Sequence, residues 1–257
     1  MSGEPTISFE TSTNVCWVSM ARPQAKNALN RQLLGELVDA LGEYERRSDL
    51  AALVLSGSDC GAFSAGGDLK EVARRQAEDE PPIPDVFRAL RDCPKPLIAA
   101  VDGHALGGGF EMAMLCDIRL ATANSWFGMP EPRRGLMGDF GVDHLCRLVP
   151  LGEALRLHLT GASMPAVRAY QIGLIQEVLG DRADLFAKAA ELAAQIALCS
   201  PNALRTLKHL VSVGRNLPIE YAREHSRPYR QLIFNSPDAL EGTRAFVEKR
   251  EPRWSSP

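Results

Sequence analysis

The feature that most restricts the fold of this chain is a recurrence of short apolar strands, each separated from the next by a loop and a helix. The three strands predicted in this way are residues 53–55, 97–101 and 118–122. Loop 57–67 and a helix opened by Asp68 follow the first strand, and loop 102–106 and a helix opened by glycines 107–109 follow the second. Crossover connections join parallel strands, so the pattern predicts an α/β fold with a largely parallel sheet covered by helices.

The residues before this recurrence predict a hairpin and a helix. Segments 6–10 and 15–20 are rich in strand-forming residues and flank a polar turn. After the Arg22-Pro23 break, Asn30 is placed to cap a helix with a 3.6-residue apolar period. Its apolar positions are Leu33, Leu34, Leu37, Val38 and Leu41.

The character of the chain changes after Gly152, where helical patterns replace the alternation of strands and helices. The predicted helices are 183–197, 202–213 and 238–248, with one short strand at 176–179. A boundary near Ser200-Pro201 predicts two units, an α/β core over 1–198 and a helical C-terminal region over 199–257. The helix opened by Asp68 is predicted to end in the proline-rich stretch 79–84.

Charge and composition exclude several classes of partner. Lys plus Arg number 29 and Asp plus Glu number 32, so the net charge of −3 provides no field that would attract nucleic acid or an anionic membrane. No apolar run reaches the about 18 residues of a spanning helix, and residues 1–10 carry no secretory signal. The six cysteines are scattered without metal-ligand spacing. We expect a cytoplasmic protein with free thiols and no metal.

The glycines at 107–109 are the first candidate for a ligand site. The dinucleotide fingerprint G-x-G-x-x-G fails because Met112 stands where its third glycine belongs, and no P-loop motif occurs. What remains is a helix N-terminus with unpaired N–H groups near Gly108 and a carboxylate, Glu111, on nearly the same face. The segment predicts either a site for a developing oxyanion or simply close packing of helix on strand.

Residues 62–68, A-F-S-A-G-G-D, occupy the corresponding place after the preceding strand. Two such loops can direct two backbone N–H groups at one oxygen, and losing one donor of an oxyanion hole costs about 2.7–4 kcal/mol of transition-state stabilisation. The alternative is a plain loop with Asp68 as a helix cap.

A serine nucleophile is a competing prediction at this loop, because A-F-S-A-G differs from the nucleophile elbow G-x-S-x-G only at its first residue. An elbow serine directly follows its strand, whereas Ser64 lies eight residues after Ser56. Five histidines are available as bases, and none has a supporting spacing: His104, His144, His158, His209 and His225.

Glu131 is the second candidate carboxylate. Pro130 and Pro132 stiffen the backbone on both sides of it, which suits an acid held at a fixed angle. Two carboxylates around one site can divide general acid and base catalysis, each contributing about 10²–10⁴-fold. The alternative is an ordinary surface-loop glutamate.

Taken together, these blocks resemble the crotonase superfamily, the enoyl-CoA hydratase/isomerase family. The matching motifs are A-F-S-A-G-G-D-L-K-E, K-P-L-I-A-A-V-D-G-H-A-L-G-G-G-F-E, F-G-M-P-E and A-F-V-E-K-R. The resemblance extends from R-P-Q-A-K-N-A-L-N at Arg22 to Lys249. It implies a spiral of strand-strand-helix units with a helical C-terminal trimerisation region, assembled as a homotrimer or a hexamer of two trimers.

The resemblance also implies an acyl-CoA thioester as substrate, with no separate cofactor. The backbone N–H groups of Ala65 and Gly108 would bind the thioester oxygen. The residues implied to line the substrate are Lys26, Ala28, Leu29, Asp68, Leu69, Pro130 and Asp139, with Phe246 and Lys249 reaching the nucleotide end from a neighbouring subunit.

The pair of carboxylates favours reversible hydration of a 2-enoyl-CoA within this family. Glu111 is assigned to water activation and Glu131 to the α-proton. The alternatives are an enoyl-CoA isomerase and a catalytically silent acyl-CoA-binding member. Segment 137–148, M-G-D-F-G-V-D-H-L-C-R-L, departs from the usual family pattern and introduces Asp139 and Phe140 beside the implied acyl pocket.

Overall fold

The structure is a computed structural model that describes residues 4–77 and 83–255. The predicted proline-rich stretch 79–84 lies outside the described residues as far as residue 82. Residues 1–3 of the segment searched for a secretory signal also lie outside them.

Ten β-strands occur among the described residues. They are β1 (Ile7–Ser12), β2 (Val15–Met20), β3 (Ala52–Gly57), β4 (Ala62–Ser64), β5 (Leu97–Val101), β6 (His104–Leu106), β7 (Ile118–Thr122), β8 (Trp126–Gly128), β9 (Ser163–Pro165) and β10 (Glu177–Leu179).

Eleven α-helices occur in the same parts of the chain. They are α1 (Arg31–Arg46), α2 (Leu69–Ala77), α3 (Val86–Asp92), α4 (Gly108–Leu115), α5 (Phe140–Leu148), α6 (Leu151–Thr160), α7 (Ala166–Gln171), α8 (Arg182–Ala197), α9 (Pro201–Gly214), α10 (Ile219–Phe234) and α11 (Pro237–Glu248). Short 3-10 helices span Pro23–Ala25 and Glu131–Arg134.

The strands form two sheets. From β3 to β8, successive strands belong alternately to one sheet and the other. The larger sheet has the order β1-β2-β3-β5-β7-β10 and is parallel except for the β1-β2 hairpin. The smaller sheet has the order β4-β6-β8-β9, with β4, β6 and β8 parallel. The three turns from β3 to β8 each add one strand to each sheet, so the expected strand-strand-helix repeat is confirmed.

The strands of the smaller sheet were not predicted individually, and β4 and β6 lie inside segments predicted as loops. At three residues each, β4, β6 and β8 are too short to show an alternating pattern in the sequence. Tertiary pairing between successive turns, rather than local propensity, therefore makes them strands.

The central strands β3 and β5 are fully buried because helices cover both faces of the larger sheet. One face packs against the largest apolar cluster, to which α1 contributes Leu33, Leu37 and Leu41. The other face packs against α8 through Leu185 and Ala189. The predicted cap of α1 is confirmed, since the Asn30 side chain accepts from the Leu33 N–H at 3.0 Å.

Helices α3, α5, α6, α7 and α10 were not predicted. Helix α10 shows why, because it contains Pro228 and Ser226 is its only described buried residue. Proline lacks the backbone N–H that a helix interior uses, so Pro228 argues against a continuous helix here. The division into units at 1–198 and 199–257 stays a prediction.

The connection between β5 and β6 contains a glycine, Gly103, that packs closely against the backbone of the preceding turn of the chain. Gly103 has φ +80°, and a Cβ there would lie 2.2 Å from the Gly61 carbonyl oxygen. We expect Gly103→Ala to lower the free energy of unfolding by about 3 kcal/mol or more, because it combines a backbone clash with left-handed strain. Urea denaturation measures the loss.

Gly173→Ala is the matched control, because Gly173 has φ +79° and no heavy atom within 4 Å of its Cβ position. This substitution is expected to cost only the left-handed strain of about 1–2 kcal/mol. Equal losses in the two variants would contradict a steric role for Gly103.

Candidate active site

The two glycine-containing loops meet where β4 and β6 end. The Cβ position of Gly66, in the first loop, lies 3.4 Å from the Gly108 nitrogen and 2.7 Å from the Leu106 carbonyl oxygen. Gly66 has φ +86°, so a glycine suits this position both conformationally and sterically. The pairing of β4 with β6 thus brings together the two loops that sequence analysis selected.

Among the backbone amides at this junction, those of Gly67 and Gly108 have no acceptor in the described parts of the chain. Gly108 is the first residue of α4, so a free N–H is expected there, in the first turn of a helix. The Ala65 N–H donates to the Lys26 carbonyl at 3.0 Å, and the Gly66 N–H donates to Ser64 Oγ at 3.2 Å.

The candidate donor in the first loop therefore needs correction from Ala65 to Gly67. The physical reason is that the segment preceding α1 packs alongside this loop. Its carbonyl oxygens accept the N–H groups of residues near Gly67. The Asp68 N–H, like that of Ala65, is held, donating to the Leu29 carbonyl at 2.9 Å. Sequence analysis found the loop, but the choice of amide depended on this packing.

Glu111 occupies the buried side of the junction. Its side chain extends from α4, the residue is 3% exposed, and Oε1 accepts from the Gly141 N–H at 2.6 Å. Burial raises the pKa of the Glu111 carboxyl to about 7; the Gly141 hydrogen bond opposes this, while the charges of Glu131 and Asp139 add to it. A carboxyl with a pKa near neutrality is suited to proton transfer.

Segment 137–148 wraps around the Glu111 carboxyl with two glycines. Cβ positions at Gly138 and Gly141 would lie 2.8 and 3.0 Å from Glu111 Oε1, so side chains there would crowd the carboxyl. The segment that departs from the family pattern thus still provides close backbone contact to Glu111.

Glu131 lies beside Gly107, at the start of the second 3-10 helix. Its Oε1 is 2.5 Å from the Cβ position of Gly107, a residue with φ +51°. Its Oε2 is buried and has no hydrogen-bond partner among the described residues. Burial raises the pKa of this carboxyl as well. Both acids therefore lie close to the glycines at the start of α4, and Glu131 keeps an oxygen without a partner among the described residues.

The raised pKa of Glu111 has a testable effect on stability. Between about pH 4.5 and 7 the folded protein keeps a proton that the unfolded chain has lost, so this group makes the wild type less stable as pH rises. We expect the stability advantage of Glu111→Gln over wild type to grow by up to about 3 kcal/mol from about pH 4.5 to 8. Denaturant midpoints measure it, with the exposed Glu10→Gln as control; a difference independent of pH would contradict it.

The residues predicted to line CoA lie around the outer side of the junction. Leu29 is buried, with Cδ1 3.0 Å from the Cβ position of Gly108, whereas Ala28 is half-buried and Lys26 is exposed. Leu69 is 47% exposed at the start of α2. Pro130 immediately precedes Glu131. Backbone hydrogen bonds from Ala65 to Lys26 and from Leu29 to Gly66 hold the segment before α1 against the loop after β4.

Arg22 is a residue that sequence analysis did not select as functional. Its guanidinium lies 3.2 Å from the Asp68 carboxylate and also donates to the Ala28 carbonyl. Asp68 is therefore engaged in an ion pair that connects the loop after β4 with the segment before α1. An arginine preceding a motif carries no local signal of such a contact, because its partner lies 46 residues away.

Three other predicted residues are exposed. Phe246 is 85% exposed near the end of α11, and Lys249 caps that helix with φ +53°. Their contact with a ligand of a neighbouring subunit stays a prediction. Asp139 is exposed at the N-terminal end of α5, where its charge acts on Glu111.

The structure gives Ser64 a structural role. Its hydroxyl is buried and donates to the Asn27 carbonyl at 2.7 Å, and it accepts the Gly66 N–H. A serine nucleophile needs a base that accepts its proton, and here the acceptor is a backbone carbonyl. The geometry therefore argues against the hydrolase alternative.

Residues 4–77 and 83–255 lack two features. No group of three or more His, Cys, Asp or Glu side chains is arranged to hold a metal ion. No helix there combines the length and apolar character needed to cross a membrane.

Comparisons with known proteins agree with the geometry. The family model "Enoyl-CoA hydratase/isomerase" matches residues 10–257. The chain is 35% identical over 250 residues to a short-chain-enoyl-CoA hydratase of Clostridium acetobutylicum, covering 95% of each. It is 34% identical over 257 residues to a carnitinyl-CoA dehydratase of Citrobacter koseri, covering 97% of this chain and 98% of the relative.

A solved structure of an enoyl-CoA hydratase from Mycobacterium tuberculosis superimposes with a TM-score of 0.90 at 34% identity, covering 98% of this chain and 99% of that one. The match thus extends over both sheets and the C-terminal helices. With the family model matching nearly every residue, the chain belongs to the enoyl-CoA hydratase/isomerase family.

Proposed function

We propose that this enzyme reversibly adds water to a 2-enoyl-CoA, giving a 3-hydroxyacyl-CoA. The observation that carries the proposal is the pair of carboxyls, Glu111 and Glu131, beside the Gly67 and Gly108 amides, which lack acceptors among the described residues. One acid would activate water and the other would supply a proton, while the amides would hold the thioester.

In this mechanism the thioester oxygen accepts hydrogen bonds from the Gly67 and Gly108 N–H groups. Addition at the β-carbon moves negative charge onto that oxygen, forming an enolate. Fixed amides stabilise the enolate more than the neutral thioester, because they already point at the atom where charge develops. The partial positive charge at the N-terminus of α4 adds to this effect.

The carboxyls complete the proton balance. Ionised Glu111, oriented by the Gly141 N–H, takes a proton from water as its oxygen bonds to the β-carbon. Protonated Glu131 gives its proton to the α-carbon, which converts the enolate back to a thioester. Burial raises the pKa of Glu131, a shift that favours its protonated form. The reverse steps dehydrate the product.

CoA is proposed to lie along the opening bordered by Lys26, Ala28, Leu29 and Leu69. Asp68 contributes through its ion pair with Arg22, which holds this segment in place.

We also propose a homotrimer or a hexamer, in which Phe246 and Lys249 reach a neighbour's CoA. Large apolar side chains exposed on α9–α11 support an interface there: Leu207, Val211, Leu232, Phe234, Phe246 and Val247. Sedimentation equilibrium should give the mass of three or six chains.

The deciding experiment mixes purified protein with crotonyl-CoA. We expect the conjugated enoyl-thioester absorbance to fall, and mass spectrometry to show addition of one water. Migration of the double bond without water addition would instead identify an isomerase. Acyl-CoA binding with no turnover of any 2-enoyl or 3-enoyl ester would identify a silent binding member.

A further inference from the structure

Two phenylalanines from different helices form a contact beside Glu111. Phe87 comes from α3 and Phe140 from α5, and their ring centroids are 6.3 Å apart at an interplanar angle of 31°. Both rings pack against the main apolar cluster. This aromatic pair is assigned no part in the mechanism above.

The pair lies close to Gly108 and to the residue that binds the Glu111 carboxyl. The Cζ atom of Phe87 is 3.3 Å from the Cβ position of Gly108, which itself is 3.8 Å from Glu111 Oε2. Phe140 directly precedes Gly141, whose N–H holds Glu111 Oε1. A thioester bound at the Gly108 amide therefore has the half-buried aromatic pair next to it.

The residues proposed to border CoA are more exposed than Glu111. Lys26 and Leu69, which border the proposed CoA path, are exposed, whereas Glu111 is 3% exposed. A substrate that enters with its CoA portion outermost extends its acyl group past the carboxyls toward Phe87 and Phe140. Its length is then set by how far these rings stand from the reacting carbons.

The rings are held in place from behind. The Arg91 guanidinium carbon lies 5.3 Å from the centroid of the Phe140 ring, a cation–π contact. Arg91 is itself oriented by Asp92, with Nε to Oδ1 at 2.7 Å. Displacing Phe140 would break the contacts with Arg91 and Phe87 together, so this wall does not yield easily to a longer chain.

We propose, on the basis of the function inferred above, that Phe87 and Phe140 form the end wall of the acyl pocket and restrict the substrate to short apolar acyl groups. Each methylene that fails to fit an apolar pocket lowers kcat/KM by about tenfold or more. Two rings from separate helices thus act as specificity-determining residues.

The test measures kcat/KM for 2-enoyl-CoAs of increasing length. Wild type is expected to prefer the four-carbon over the ten-carbon ester by at least about tenfold. Phe87→Ala and Phe140→Ala should each raise the ratio of ten-carbon to four-carbon activity by about tenfold. The matched control is Phe186→Ala, which removes a ring stacked on Trp17 at 5.7 Å against the other face of the sheet and should leave the ratio unchanged.

Failure of the wall and failure of the proposed function give different results. If no enoyl-CoA is hydrated, the function is wrong, and calorimetric binding of butyryl-CoA and decanoyl-CoA to the same variants tests the wall alone. Equal wild-type preference for short and long chains, or an unchanged ratio in both folded phenylalanine variants, overturns the wall. If an alanine variant fails to fold, Phe87→Leu and Phe140→Leu carry the same test with a smaller loss of volume.

Discussion

Replacing either Glu111 or Glu131 by glutamine is expected to lower kcat for hydration by about 10²–10⁴-fold. Glutamine keeps the size and hydrogen-bonding oxygen of the side chain but cannot exchange the proton. The Gly141 N–H that holds Glu111 Oε1 can still donate to a glutamine oxygen. Binding of a saturated acyl-CoA should therefore change by only a few-fold, and calorimetry together with steady-state kinetics separates the two effects.

The pH profile identifies which acid does what. Because burial raises the pKa of Glu111 to about 7, the ionised base becomes available as pH rises through that value, and wild-type kcat/KM should rise with it. The small residual activity of Glu111→Gln should lack this rise. Glu10→Gln, an exposed change on β1, is the control and should behave as wild type. Full turnover in either active-site variant would show that the assigned division of roles is wrong.

Gly66→Ala is expected to cost about 10²–10³-fold in kcat by disturbing the amide junction. A Cβ at Gly66 would meet the Leu106 carbonyl oxygen at 2.7 Å, so the loop must move relative to the strand that leads into Gly108. This movement displaces the Gly67 N–H that immediately follows. Loss of one oxyanion donor has an effect of this size because the remaining Gly108 N–H is fixed in position and cannot replace the lost hydrogen bond.

Gly61→Ala is the control that distinguishes a steric clash at the junction from the strain of replacing a glycine with positive φ. Gly61 has φ +71° at the start of the same β4 turn, but nothing lies within 4 Å of its Cβ position. We expect a stability loss of about 1–2 kcal/mol from the left-handed backbone and kcat within a few-fold of wild type. If both variants lose activity equally in the folded state, the junction does not depend on the contact at Gly66.

The sequence was sufficient for the parts of the fold that local pattern determines. Strands β3, β5 and β7 are short apolar segments between breaking residues, and α1 has both a cap at Asn30 and a regular stripe. The motifs around Gly108, Glu111 and Glu131 were sufficient to select the family. Each of these signals lies within a few residues along the chain, where side-chain type and spacing decide the outcome.

Other features needed contacts between distant residues. The short strands of the second sheet exist because one turn of the chain pairs with the next. The pKa of Glu111 depends on burial under segment 137–148, and the aromatic wall depends on α3 meeting α5.

By itself, the sequence determined the family, the parallel sheet and the two acids, because these are written in local pattern and motif. Only the tertiary structure decided that Gly67 and not Ala65 has the available amide, because the Lys26 carbonyl, 39 residues away along the chain, accepts the Ala65 N–H. It likewise decided which rings close the acyl side. Hydrogen bonds and packing between distant segments assign such roles, and spacing along the chain does not record them.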